Sequence, residues 1–137
     1  MEEIVRAHGH ENVTARHEST FEVTTDDWLT PAGDCIVGVD ADRAPADFDP
    51  AFVDACRDCS ARIVATVEVG DRVQRVTGRG DPELTFESDR SAVGRTSDYV
   101  DDRTVLVGAD AAAADFDREV VAALADGAGL TLTLAVE

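Results

Sequence analysis

Ala46-Asp47-Phe48-Asp49-Pro50 and, further along the chain, Ala114-Asp115-Phe116-Asp117-Arg118 are the stretches that decide how this sequence folds. Asp49 suits a helix N-cap with Pro50 at the first helical position, and Phe48 before the cap is placed to staple onto Val53. Asp117, Phe116 and Val121 repeat the device. Apolar residues at Phe52, Val53 and Cys56, and at Val120, Val121 and Leu124, give both helices the same core-facing stripe.

Working outward, the two halves keep matching. Ile36-Val37-Gly38-Val39-Asp40-Ala41 answers to Leu106-Val107-Gly108-Ala109-Asp110-Ala111, and Thr25, Asp27, Trp28 and Leu29 answer to Thr96, Asp98, Tyr99 and Val100. Val13-Thr14 answers to Leu84-Thr85, and Arg6-Ala7-His8-Gly9-His10 to Arg75-Val76-Thr77-Gly78-Arg79. Such self-similarity points to an internal duplication, with repeats over 1–69 and 70–137. In the first repeat the patterning predicts strands over 2–8 and 13–24, and a short helical turn at 25–29. A doubly buried strand over 35–39, the capped helix and a closing strand over 62–69 follow; the second repeat closes with a strand over 130–136. Strand, helix and strand with short links predict a right-handed crossover and a locally parallel pair, while the leading segments pair antiparallel. The expected fold is α+β: a single domain over 1–137, a mixed β-sheet or barrel-like sheet, two main helices and a pseudo-twofold axis. Half of such a chain is too small to bury its own apolar face well.

With 44% hydrophobic residues in 137, the chain can build one modest core. Its 29 acidic and 12 basic residues give a net charge of −17, and every basic residue is Arg. That charge would strain a small folded body in dilute buffer. In about 1 M salt the Debye length falls to about 3 Å, and a dense carboxylate coat becomes tolerable. The excess of Asp over Glu and the exclusion of Lys look like proteins of extremely halophilic archaea. No basic cluster is present to meet a phosphate backbone, which argues against nucleic acid, although salt-adapted nucleic-acid binders are acidic too. No apolar run is long enough for a membrane span and the amino end does not read as a secretory signal, so the expectation is a cytoplasmic protein without a membrane partner.

Three further segments carry a resemblance. Gly9-His10-Glu11-Asn12-Val13, His17-Glu18-Ser19-Thr20-Phe21-Glu22-Val23-Thr24 and Leu29-Thr30-Pro31-Ala32-Gly33-Asp34-Cys35-Ile36 resemble an uncharacterised archaeal family, domain of unknown function number 371. The resemblance implies an archaeal cytosolic protein of one small domain, and it supplies no activity, cofactor or catalytic residue.

All three histidines, His8, His10 and His17, fall in the first repeat, against Thr77, Arg79 and Ser88 in the second. Imidazoles present in only one copy suggest function over folding, and His is the usual metal ligand near neutral pH. His-x-His places two rings on one strand face. A regular hairpin turning near Glu11 would, however, hold His17 too far from His8 to share an ion. His17 also lies in register with Val13, Ala15, Phe21 and Val23, as a core histidine would. The alternate face, with Arg16, Glu18, Thr20, Glu22 and Thr24, reads as solvated. The Thr30-Pro31-Ala32-Gly33-Asp34 turn has no Pro or Gly in its counterpart Asp101-Asp102-Arg103-Thr104, and such differences are where binding groups collect.

The expected site is therefore a small-ligand or metal site on the first repeat. His8, His10, His17, Glu22 and Asp34 form its ligand set, the three histidines its metal ligands, and a divalent metal is the cofactor they would hold. The alternative is a non-catalytic module presenting a patch around Trp28 or Tyr99 to a protein or RNA. Cys56-Arg57-Asp58-Cys59 reads as a buried core thiol at Cys56 beside a helix end, not as a zinc or redox pair.

Overall fold

The computed structural model describes all 137 residues. In chain order it contains β1 (Glu2–His8), β2 (Thr20–Thr24), β3 (Ile36–Gly38), α1 (Pro50–Cys56), β4 (Arg62–Val69), β5 (Arg72–Arg79), β6 (Ser91–Arg95), β7 (Thr104–Leu106), α2 (Arg118–Ala125) and β8 (Gly129–Val136). The helix starts form as their residues dictate: Asp49 accepts the Ala51 N–H and Asp117 the Glu119 N–H, each at 2.8 Å. A short 3-10 turn, Pro45–Asp47 or Ala113–Asp115, precedes each cap. Phe48 packs edge-on against Phe52, with ring centroids 5.8 Å apart.

The fold is α+β, with two open sheets and no barrel. One sheet runs β1-β8-β4-β5 and is antiparallel throughout; the other runs β3-β2-β6-β7, its central pair antiparallel and both flanking pairs parallel. Alternation along β4 buries Ile63, Ala65, Val67 and Val69, and along β8 it buries Leu130, Leu132 and Leu134. These side chains join Phe21, Val23, Phe52, Cys56, Phe116, Val120 and Leu124 in one cluster of 30 buried residues, so both sheets and both helices share a core.

Several expected connections are replaced. β1 pairs with β8 and not with β2, and the segment between β1 and β2 is not a strand. Buried Ala15 takes a left-handed φ of 49°, which breaks the alternation that suggested a strand from residue 13, and the Asp34 carbonyl accepts the N–H groups of Arg16 and His17. No helical turn forms over 25–29. β3 and β4 belong to different sheets, so α1 links the layers where a crossover was expected; the parallel partner of β3 is β2.

The two halves share element order and many hydrogen bonds. Arg6 N–H donates to Asp42 Oδ1 and Thr77 N–H to Asp110 Oδ1, both at 2.9 Å. His8 bridges Val39 and Arg79 bridges Val107. The left-handed residues Ala15 and Asp40 match Phe86 and Gly108. These bonds pair His8 with Arg79 and Val39 with Val107, two positions away from the pairing read from residue identity. The halves also interlock: Ala46 N–H donates to the Ser88 carbonyl and Ala114 N–H to that of His17. A Cβ at Gly9 would land on the Leu124 carbonyl oxygen, and one at Gly80 on the Cys56 carbonyl oxygen, so each glycine lets a strand end press against a helix end.

Candidate functional site

The three imidazoles do not assemble. His8, on the exposed end of β1, directs Nδ1 to the Gly9 carbonyl at 2.7 Å and has Nε2 3.5 Å from Asp40. His10 Nδ1 accepts the Asn12 N–H at 3.0 Å, and His17 Nδ1 accepts those of Ser19 and Thr20 at 3.2 and 3.1 Å. In the second half Asp81 Oδ1 accepts the Glu83 N–H, and Ser88 Oγ those of Arg90 and Ser91. His10 and His17 thus close local turns, as an aspartate and a serine do elsewhere. With the Nδ1 lone pair given to backbone N–H groups, the neutral ring carries its proton on Nε2, leaving no free lone pair for an ion. Nowhere do three His, Cys, Asp or Glu side chains gather to hold a metal.

The remaining expected residues separate. Asp34 supports the loop through its carbonyl and does not line a cavity. Glu22 does. Because Phe21 and Val23 point into the core, alternation throws Glu22 and Thr24 onto the other face of β2. Within β2 that face is covered, with Glu22 9% exposed and Thr24 and its partner Ser91 buried, whereas Arg16 and Glu18 ahead of the strand are exposed. Ser91 Oγ–H donates to Thr24 Oγ1 at 3.1 Å.

Glu22 borders a cavity of about 240 Å³, together with Asp26, Trp28, Gly33, Arg90 and Arg103. Leu29 and Ile36 supply apolar wall, and Thr30 part of the rim. The Glu22 carboxylate accepts one long hydrogen bond, from Cys35 Sγ at 3.7 Å, and Arg103 Nη1 stands 4.0 Å away. Burial, reinforced by the Glu22 charge, pushes the Cys35 thiol up to about 11 and keeps it protonated as the donor. Arg90 is occupied elsewhere: Nε and Nη2 hold Asp26 at 3.0 and 2.6 Å.

The matching corner of the second half is filled from within. Arg95 stands where the first half has Thr24, since Ala41 N–H donates to the Thr24 carbonyl and Ala109 N–H to that of Arg95. Its Nε donates to Thr104 Oγ1 and its Nη2 to Asp101 Oδ2, both at 2.9 Å, and the guanidinium lies 4.9 Å from the Tyr99 ring centroid. Burial pushes the Asp101 carboxyl up, but hydrogen bonds from Arg103 and Thr104 and the charge of Arg95 outweigh it and hold the group at about 2.

Asp26, Arg90 and Arg103 were not among the expected site residues. The mark of the site emerges only once the strands are paired: Glu22 lies opposite Val93, the residue at its own position in the other half, so a lone carboxylate replaces an apolar side chain.

The family model described as domain of unknown function (DUF371) matches residues 5–137. An uncharacterized protein of Methanocaldococcus jannaschii, MJ0206, is 37% identical over 136 residues, a match covering 99% of this chain and 100% of the relative.

Proposed function

We propose that this chain, which belongs to the DUF371 family, binds a small molecule in the cavity bounded by Glu22, Trp28, Arg90 and Arg103. The observation that carries the reading is Glu22, a nearly buried carboxylate that opens onto the cavity and has as close company only a thiol at 3.7 Å and a long ion pair with Arg103 at 4.0 Å. A buried charge is costly unless donors meet it, and a ligand can supply them. At about 240 Å³ the cavity is smaller than the range of about 300–1,000 Å³ typical of ligand pockets, which suits a metabolite fragment or head group.

Trp28 is the single tryptophan and lines this cavity, so its emission reports on occupancy. A panel of small metabolites should contain a compound that changes Trp28 fluorescence and raises the melting temperature, because a ligand of the folded state stabilises it by mass action. If no compound does either, the reading fails. Zinc or magnesium in the same melt tests the divalent-metal alternative, in which His10 and His17 would have to leave their backbone partners. The exposure of Trp28 and Tyr99, 55% and 59%, favours a second reading: a non-catalytic surface for a protein or RNA. In that case Trp28→Ala would abolish partner capture while no metabolite shifted the melt.

We also infer a salt-adapted archaeal cytoplasmic origin from the charge, and an internal duplication about a pseudo-twofold axis from the repeated hydrogen bonds. A melting temperature unchanged between about 0.1 and 2 M potassium chloride would contradict the salt adaptation.

A further inference from the structure

Resting on the cavity as a binding site, we propose that it takes a guanidinium or ammonium group of a small ligand, seated against Trp28 with Glu22 as its counter-ion. The second half shows how such a group sits in this frame, because Arg95 occupies the matching space with its guanidinium over an aromatic ring, a hydroxyl on Nε and a carboxylate on Nη2. In the first half Trp28 stands for Tyr99, while Gly33 and Ile36 stand for Asp101 and Thr104. The matching N–H bonds Ile36 to Gly33 and Thr104 to Asp101 fix that correspondence. The chain's own cation is gone, since Thr24 is short and turned to Ser91.

The counter-ion has moved. Where the second corner uses Asp101, the first offers Glu22 from the position of Val93, at the floor of the open space. The rim arginines give it only long-range charge: Arg90 is held by Asp26, and Arg103 Nη2 lies 3.1 Å from Asp101 while its Nη1 makes a long ion pair with Glu22 at 4.0 Å. An indole face attracts a cation more strongly than a phenol, and a charge-assisted hydrogen bond is the donor a buried carboxylate lacks. The adjoining loop is longer than its counterpart by Thr30-Pro31-Ala32, and Thr30 lines the cavity.

The test titrates the whole chain with agmatine, with uncharged butylurea and with succinate, following Trp28 emission in the lowest potassium chloride concentration that holds the fold. Agmatine should give a saturable change, butylurea a response at least about tenfold weaker, and succinate none. Glu22→Gln should weaken agmatine at least about tenfold without lowering the melting temperature. Thr24→Arg should shift Trp28 emission and abolish binding by restoring the internal cation; should that variant fail to fold, Glu22→Gln still decides. No saturable response to agmatine up to about 10 mM, or equal binding by Glu22→Gln, overturns the proposal. If succinate or a neutral metabolite perturbs Trp28 instead, the cationic class falls and the cavity stands as a binding site. If nothing does, both fall.

Discussion

At the β6–β7 corner Arg95 lies across its own sheet, stacked on Tyr99 and held by Thr104 and Asp101, whereas at the β2–β3 corner Thr24 turns to Ser91 and the space beneath Trp28 stays open. Both corners hang on the same backbone hydrogen bonds. The frame is therefore set by the main chain and the shared core, and the side chain filling the corner is free to change. A closed corner spends its polar groups on itself; the open one leaves Glu22 facing the cavity.

The comparison breaks most sharply where the halves share a need. Gly9→Ala and Gly80→Ala should each cost about 3 kcal/mol or more in urea unfolding, since a methyl group would meet a helix-end carbonyl that cannot yield. A large cost at one glycine and none at the other would separate the halves. Next comes Arg95→Ala, expected to cost about 1–3 kcal/mol, because the side chain is 11% exposed and its removal strips two hydrogen bonds and the ring stack.

That variant should also change the acid limb. Asp101 is held at about 2, below its unfolded value of about 3.9, so its stabilisation is complete above about pH 3.9 and is lost as pH falls towards 2. Without Arg95 the folded carboxyl should rise towards its unfolded value, so the acid loss should be smaller and end at a higher pH, read from unfolding curves between about pH 2 and 5. A smaller effect is expected at His17, where Ala should cost about 1 kcal/mol and Ser almost nothing, if the imidazole only caps a turn as Ser88 does. Thermal melts of both variants decide this. With no stability change at all, maleimide should label exposed Cys59 quickly while Cys35 and Cys56, pushed up to about 11 and 12 by burial, lag; mass spectrometry of the first product identifies the site.

Local chemistry was legible in the sequence. Asp49, Asp117 and the alternation of Ile63 to Val69 needed only neighbours a few residues away, and helices and strands formed where they pointed. Long-range pairing was not. Val13 and Ala15 continue the apolar alternation of β2, yet Ala15 turns left-handed where the next two N–H groups meet the Asp34 carbonyl, and no pattern of side chains announces a φ. A likeness between the halves was hidden for a related reason: His10 has no chemical resemblance to Asp81, although both accept the same kind of backbone N–H. Glu22 was named because it stood beside the histidines, and the Thr30–Asp34 turn because its composition differed. Arg90 and Arg103 come from the other half, and only the β2–β6 pairing brings them to Glu22.

The pairing of β1 with β8 sets a timetable. β4 and β5 are joined by the tight turn at Gly70 and can zip within microseconds of leaving the ribosome, about the time a hairpin takes. β1, made first, has no partner until β8 is made last, and closing so long a loop carries both an entropic and a kinetic penalty. Through nearly all of synthesis its Ile4 and Val5 have no strand beside them, so a nascent chain arrested before β8 should be the species that chaperones hold and proteases cut.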